Sequence, residues 1–253
     1  MTGAPMPAGA DAVIPIERAV SGTSHAQAGE QVSVQDPHFR CGQHVSEKGS
    51  FFRAGQTVIH HGVELELVHV GLAAEVGASH VVAIAPPRVS IITTGNELVP
   101  SSQVPAGGQI RNTNGPMLSA AVVSCGAEPI PMGIASDHPE PLRALIAQGL
   151  AADILLLSGG VSTGVYDLVP KTLENLGVEC VFHKVCLKPG KPIWFGVLQR
   201  PAASPTLVFG LPGNPVSTLV CFELFVRPAL EKISGKSLVP KDRDQQTARL
   251  TNS

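Results

Sequence analysis

Aromatic side chains are scarce in this chain: they make up 4% of its 253 residues, with a single Trp and a single Tyr. Proteins that bind single-stranded nucleic acid stack bases on aromatic rings, so this scarcity argues against that function. Charge is nearly balanced, because 18 Lys and Arg stand against 20 Asp and Glu for a net charge of −2. Without a basic field, nucleic-acid binding is disfavoured and any anion site must be local.

Cysteine pairs and long apolar runs are also missing. None of the five cysteines forms a CxxC pair, which favours reduced thiols in a cytoplasmic protein over a disulfide framework. No stretch of about 20 apolar residues could span a membrane. The N-terminus lacks the charged-then-apolar pattern of a secretion signal. We therefore expect a cytoplasmic protein that does not bind a membrane.

Two regions with different patterns follow one another along the chain. Residues 1–86 hold short β-like runs broken by Gly, Pro and Ser, which predict a small β-rich domain and a connecting segment. Over residues 87–235, apolar strands alternate with helices. This alternation predicts an α/β domain with a three-layer architecture around a mostly parallel sheet. Residues 236–253 are expected to form a tail.

Four loops rich in Gly, Pro and polar residues follow predicted strands of the second region. They span residues 94–97, 158–164, 188–191 and 211–215. The carboxyl ends of parallel strands meet at one edge of a sheet, where ligands bind. We therefore expect the four loops to form one pocket. Pro212 and Pro215 in the last loop either fix a turn against a ligand or simply end a strand, and the residues leave both interpretations open.

Three lysines surround the third loop. Its motif Lys188-Pro-Gly-Lys191 places two cations on a rigid turn, and Lys184 lies four residues before it on a predicted strand over residues 181–187. Residues four apart on a strand point to the same face, so the side chains of Lys184 and Lys188 should lie on one face of the strand. Three lysines beside a Pro-Gly turn predict a local site for an oxyanion, although a single strand-end lysine is usually solvated.

Three carboxylates, Glu97, Asp137 and Asp167, each lie at or just beyond the end of a predicted strand. Converging carboxylates can hold Mg²⁺, which prefers oxygen ligands and substrate phosphates, so we predict a magnesium site there. Helix capping is the alternative, and for Asp137 taken alone it is favoured, because a helix is predicted over residues 139–150. Asn114 is predicted to cap another helix, which begins at Met117.

The loop Ser158-Gly-Gly-Val-Ser-Thr-Gly164 allows two functional interpretations. Backbone amides exposed by its glycines, at the start of a helix, suit a phosphate. The run from Gly160 also matches Gly-x-Ser-x-Gly, the nucleophile elbow of serine hydrolases, with Asp167 and His183 in triad order. We disfavour the hydrolase, because Asp167 follows Ser162 too closely to come from a distant strand end.

Eight motifs follow one another along nearly all of the chain. They are Met1-Thr-Gly-Ala-Pro5, Gly9-Ala-Asp-Ala-Val13, Thr94-Gly-Asn-Glu-Leu98, Arg111-Asn-Thr-Asn114, Gly133-Ile-Ala-Ser-Asp137, Ser158-Gly-Gly-Val-Ser162, Lys188-Pro-Gly-Lys-Pro192 and Gly210-Leu-Pro-Gly-Asn-Pro-Val-Ser217. In this order they resemble the molybdopterin molybdenumtransferase family, which includes the E domain of gephyrin, and the last two motifs in tandem are highly specific.

The resemblance implies an enzyme that inserts molybdate into the dithiolene of adenylylated molybdopterin, releases AMP and needs Mg²⁺. It also implies a homodimer and contact with the molybdopterin adenylyltransferase. The catalytic residues that it implies are Asp137, Asp167, Glu97, Lys184 and Lys188, with Asp137 and Asp167 as metal ligands. The cofactor-binding residues that it implies are Thr2, Gly159, Gly160, Ser162, Lys191, Pro212 and Pro215.

The chain departs from the family pattern in three places. We expect it to lack the family's N-terminal segment, whose Met-Asp-Gly-Tyr-Ala-type motif carries an acid, and the family's C-terminal β-domain. Phe51 stands where the family has an acidic residue, and an apolar ring can neither ligate a cation nor orient water. A second hypothesis therefore stays open: a module of the same fold that binds molybdopterin or a nucleotide without inserting metal.

Overall fold

The computed structural model describes residues 3–21, 31–161, 168–201 and 203–236. The chain divides into two units, Met1–His60 and His61–Ser253. In the first unit, β1 (Ala19–Ser21) pairs antiparallel with β2 (Ser33–Val34). The buried Asp36 carboxylate is an anchor here: it pairs with Arg18 and accepts a hydrogen bond of 2.9 Å from Gln43 Nε2.

The second unit alternates strands and helices. None of the helices among the described residues is both long enough and apolar enough to cross a membrane. The elements are α1 (Leu67–Glu75), β3 (Arg88–Thr94), β4 (Leu98–Val99), β5 (Ile110–Arg111), α2 (Asn114–Ser124), β6 (Glu128–Ala135), α3 (Pro139–Gly149), β7 (Ile154–Ser158), α4 (Leu168–Asn175), β8 (Glu179–His183), β9 (Trp194–Leu198), β10 (Thr206–Leu211), α5 (Pro215–Cys221), a π turn (Phe222–Val226) and α6 (Arg227–Ile233).

Six strands form the central sheet of the second unit, in the order β6-β3-β7-β10-β9-β8. The first four run parallel, and β9 runs antiparallel between β10 and β8. This arrangement confirms the predicted α/β class with a mostly parallel sheet. The reversal at β9 follows from the short connection after β8, which is too short for the crossover that a parallel neighbour requires.

Strand β7 shows how the sheet is covered on both faces. Successive residues of a strand point to opposite faces, and all five residues of β7 are buried. Ile154 and Leu156 pack in a cluster with residues of α2, α5 and α6. Leu155 and Leu157 pack in a second cluster with residues of α3 and α4. Helices on both faces make the predicted three layers.

The helical segment that follows β10 is interrupted in the structure. A π turn separates α5 from α6, and in it the Arg227 amide donates to the Phe222 carbonyl, five residues earlier. Pro228 follows directly. A proline has no amide hydrogen to donate and its ring collides with the carbonyl four residues earlier, so the wider turn relieves a conflict that a regular helix could not.

Two of the five free cysteines belong to the core of the second unit, Cys125 and Cys221. Burial raises the pKa of the Cys221 thiol to about 11 and also raises the pKa of the Cys125 thiol. Both are therefore protonated at neutral pH and act as small apolar side chains.

Two leucines test this description of the core. Leu156 is fully buried in β7, whereas Leu67 in α1 is 93% exposed. Leu156→Ala removes buried methyl groups and leaves a cavity, so the free energy of unfolding should fall by about 2–5 kcal/mol. Leu67→Ala makes the same change in solvent and should shift it by less than about 0.5 kcal/mol. Urea denaturation measures both; equal losses would contradict the assignment.

Candidate active site

The carboxyl edge of the parallel strands opens into a cleft of about 970 Å³. The chain passes from β3 to β6 on one side and then from β6 to β7 on the other side of β3. Loops that leave neighbouring strands in opposite directions create a crevice at such a reversal. The walls of the cleft come from the loops after β3, β6, β7 and β10 and from the start of α2.

Most of the described site residues predicted from the sequence line this cleft. Three of the four predicted loops form its walls, but no residue of the loop 188–191 lines it, and only the adjoining Pro192 does. Lys188 and Lys191 in that loop and Lys184 before it are exposed. Three further predicted residues, Thr2, Ser162 and Asp167, lie outside the described residues. The predicted residues on the wall of the cleft are Glu97, Asp137, Gly159, Gly160, Pro212 and Pro215.

The predicted common face of Lys184 and Lys188 is wrong. Strand β8 ends at His183, and Lys184 has a left-handed φ of 71°, so the alternation of a strand does not continue through it. Its amide instead closes a loop by donating to the Ile193 carbonyl at 2.8 Å. Within the described part of the chain, neither ammonium group forms an ion pair. Both charges therefore remain available to an anion.

Asp137 is held by Asn96 and does not cap α3. Asp137 Oδ2 accepts a hydrogen bond of 3.2 Å from the backbone amide of Asn96, and Asn96 Oδ1 accepts one of 3.1 Å from the backbone amide of Asp137. The N-cap position belongs to His138, so the capping role favoured for Asp137 is wrong. Pro139 begins the helix, where a missing amide hydrogen costs little. The reciprocal pair joins the loop after β3 to the loop after β6.

The Glu97 carboxylate lies against Gly95. A Cβ built on Gly95 would lie 2.5 Å from both carboxylate oxygens of Glu97, so a side chain at residue 95 would displace this acid. Glu97 and Asp137 thus present two carboxylates to one cleft. Glycine at position 95, where φ is 142°, is what leaves room for the first of them.

Asn114 ties two loops together, and its predicted capping role is wrong. Thr113 holds the N-cap position of α2. Asn114 Nδ2 donates to Ser158 Oγ and to the Gly213 carbonyl, each at 2.8 Å. Ser158 Oγ in turn donates to the Pro212 carbonyl at 3.3 Å. This network was missed from the sequence, where the only signal was the motif that ends in Asn114.

Gly159 and Gly160 cross closely over the end of β3. Both have left-handed φ angles, 96° and 64°. A Cβ on Gly159 would lie 2.6 Å from the Thr94 carbonyl oxygen, and a Cβ on Gly160 would lie 2.9 Å from Thr94 Oγ1. Only glycine fits here, and the backbone that it exposes can approach a ligand in the cleft.

The two prolines of the loop after β10 lie at the end of the strand and at the start of the next helix. Pro215 begins α5, which Asn214 caps by accepting bonds of 3.0 and 3.2 Å from the amides of Val216 and Ser217. Pro212 ends β10, and its carbonyl accepts a hydrogen bond of 2.5 Å from Thr218 Oγ1. Both prolines also line the cleft. The turn is therefore rigid and faces the site.

The described residues fit magnesium only together with a substrate. Among them, no group of three or more His, Cys, Asp or Glu could hold a metal ion. Mg²⁺ is usually bound by one or two carboxylates, with substrate phosphates and waters completing its octahedron. Asp137 on the cleft wall can supply one carboxylate of that share.

His183 contacts the backbone and not a triad partner among the described residues. Its Nε2 contacts the Val161 carbonyl oxygen at 3.1 Å. The contact links the end of β8 to the loop after β7. Ser162 and Asp167, the other members of the hydrolase pattern, lie outside the described residues, and the hydrolase therefore stays a disfavoured interpretation.

The second unit is an α/β domain with a cleft at the carboxyl edge of its parallel strands, and its family follows from the comparisons. Residues 90–232 match the family model described as "Probable molybdopterin binding domain". Residues 1–77 match the model described as "MoeA N-terminal region (domain I and II)". Among solved structures, the molybdopterin biosynthesis MoeA protein from Pyrococcus horikosii is similar, with a TM-score of 0.72 and 34% identity over 91% of this chain and 55% of its own.

Curated relatives give the same family. The molybdopterin molybdenumtransferase of Synechococcus elongatus is 37% identical over 91% of this chain and 55% of its own length. Molybdopterin molybdenumtransferase 2 of Mycobacterium tuberculosis is 36% identical over 100% of this chain and 60% of its own length. The chain belongs to the molybdopterin molybdenumtransferase family, and it spans just over half the length of these relatives.

A pair of glycine substitutions tests the close crossing over β3. Gly126 has a φ of 76° and open space around it, whereas a Cβ on Gly159 meets backbone. Gly126→Ala should lower the free energy of unfolding by about 1–2 kcal/mol, the cost of a left-handed conformation. Gly159→Ala adds a steric overlap and should lose at least about 2 kcal/mol more. If urea denaturation shows equal losses of unfolding free energy for the two variants, the close crossing does not explain the glycine at position 159.

Proposed function

We propose that this chain acts in molybdenum cofactor biosynthesis and inserts molybdate into adenylylated molybdopterin with release of AMP. The observation that carries the proposal is the cleft itself. In a domain of the molybdopterin-binding family, it combines Glu97 and Asp137 with the bare backbone of Gly159 and Gly160. Two acids next to exposed amides suit a substrate that carries phosphates and must lose one of them.

The proposed reaction has two parts. Water hydrolyses the phosphoanhydride bond, which leaves AMP and the free phosphate of molybdopterin. The two dithiolene sulfurs replace two oxygens of molybdate, which leave as two water molecules with the two thiol protons and two protons from solvent. Neither part changes an oxidation state, so no electron donor or acceptor is needed.

The residues of the cleft take distinct roles in this proposal. Asp137 and Asp167 would hold Mg²⁺, which would neutralise charge on the phosphates, and Glu97 orients the water. The backbone at Gly159 and Gly160 receives the pterin phosphate, as amides exposed by glycine can. Lys184 and Lys188, as exposed cations, attract and hold the oxyanion. The remaining residues proposed for cofactor binding are Thr2, Ser162, Lys191, Pro212 and Pro215.

The same proposal covers the partners and the cellular location. Adenylylated molybdopterin must come from an adenylyl transfer reaction, so contact with the molybdopterin adenylyltransferase is proposed, together with a homodimer. The cytoplasm is the proposed compartment. All five cysteines are free, which supports a reducing environment.

Release of AMP tests the activity. Purified protein supplied with adenylylated molybdopterin, molybdate and Mg²⁺ should release AMP in step with molybdenum insertion, both measured by chromatography. Saturable binding of the substrate without AMP release would contradict the enzyme and support a binding module. Phe51 favours that second candidate: it is 74% exposed in the first unit and stands where the family pattern has an acid.

A lysine pair tests the proposed oxyanion contact. Lys188→Ala should weaken binding of molybdate about tenfold or more, because it removes a charged hydrogen-bond donor from the anion. Lys232 is exposed in the last turn of α6, and Lys232→Ala should change the affinity less than about twofold. Titration calorimetry measures both dissociation constants. If the two variants bind molybdate with the same affinity, Lys188 does not contact the oxyanion.

A further inference from the structure

Two buried polar atoms on the wall of the cleft have no hydrogen-bond partner in the part of the chain that the structure describes. Among the described residues, three buried side-chain atoms are unsatisfied: Thr94 Oγ1, Asn114 Oδ1 and Ser234 Oγ. The first two belong to residues that line the cleft. Thr94 is 5% exposed and Asn114 is 8% exposed. Unsatisfied buried polar atoms are rare because burial costs them their bonds to water, so these two atoms need a partner that enters the cleft.

The amide of Asn114 cannot relieve its unsatisfied oxygen by turning over. Its Nδ2 already donates to Ser158 Oγ and to the Gly213 carbonyl. Rotation by half a turn would point Oδ1 at the Gly213 carbonyl oxygen, acceptor against acceptor. The bonds within the protein therefore fix Oδ1 as an acceptor. A ligand must bring an N–H or O–H group to satisfy it.

The position of the Thr94 hydroxyl is restricted by its neighbours. It lies against two residues without side chains, since a Cβ on Gly159 or on Gly160 would come within 2.9 Å of Thr94 Oγ1. A β-branched side chain has few χ1 conformations available, so the hydroxyl cannot easily seek another partner. Gly159 directly follows Ser158, the residue that Asn114 contacts. Both unsatisfied atoms thus border the same short loop after β7.

We propose that Thr94 and Asn114 form a neutral recognition pair that binds an uncharged N–H or O–H group of the ligand. This inference rests on the proposed function and deepens it: the pair recognises the pterin ring or the adenosine, while other residues contact phosphates. A metal ion is a poorer occupant, because both atoms are neutral and Mg²⁺ prefers carboxylates, which Glu97 and Asp137 supply elsewhere on the wall.

Thr94→Val separates binding from stability. The change keeps the shape of the side chain and removes a hydroxyl that has no partner among the described residues. The melting temperature should therefore stay the same or rise. Affinity for either molybdopterin or AMP, used as separate probes in titration calorimetry, should fall about tenfold. Thr94→Ser keeps the hydroxyl and should retain most of the affinity.

Asn114→Ala provides the second arm with the same two probes. Selective loss of molybdopterin affinity identifies an N–H group of the pterin, and selective loss of AMP affinity identifies the adenosine; either result supports the pair. Wild-type affinity for both probes in both variants overturns it. Equal loss for both probes with a lowered melting temperature indicates general damage and also overturns it.

The wild-type measurement keeps this test distinct from that of the proposed function. If the wild-type chain binds neither probe, the proposed function fails, and the inference fails with it. If the wild type binds and the variants bind equally well, the inference alone fails. No turnover is needed for either conclusion.

Discussion

The crossing of the Gly159–Gly160 backbone over Thr94 is the contact on which the site depends. It occurs where the order of the sheet reverses, so the loop after β3 and the loop after β7 must pass each other before they diverge. A side chain at either glycine would push these strand ends apart. Since Asn114 then binds Ser158 and Gly213 across the same gap, the crossing also sets the position of the loop after β10.

Charge is distributed unevenly around the cleft. The loops after the parallel strands supply the acids Glu97 and Asp137 and the bare glycine backbone, all on the wall of the cleft. The lysines come from the connection between β8 and the antiparallel β9, and they are exposed. Both sets of charges are exposed, but only the acids lie on the wall of the cleft. The antiparallel strand β9 therefore places the lysines of the central sheet apart from its acids.

Much of the fold and part of the site could be predicted from the sequence. The run Ile154-Leu-Leu-Leu-Ser158 is a buried parallel strand because both faces of the sheet are covered, and a local pattern is enough to reveal that. The roles of Asn114 and Asp137 could not be predicted, because their partners lie 99 and 41 residues away. The sequence suggested capping, a local interaction, for both residues and a magnesium site for Asp137, but neither of the bonds to these distant partners. The end of β8 was misplaced for a similar reason: Lys184 leaves the strand to bond with Ile193, a partner set by tertiary structure.

The reciprocal bond between Asn96 and Asp137 restricts the coordination chemistry of this carboxylate. Oδ2 of Asp137 already accepts a hydrogen bond from the Asn96 amide, so a cation would be met mainly by Oδ1. Single-oxygen coordination suits a small ion that demands a near-ideal octahedron and keeps several waters, whereas a larger ion such as Ca²⁺ gains from acids that grip it with both oxygens. If Asp137 holds an ion as proposed, this single hydrogen bond would favour a small ion over a large one.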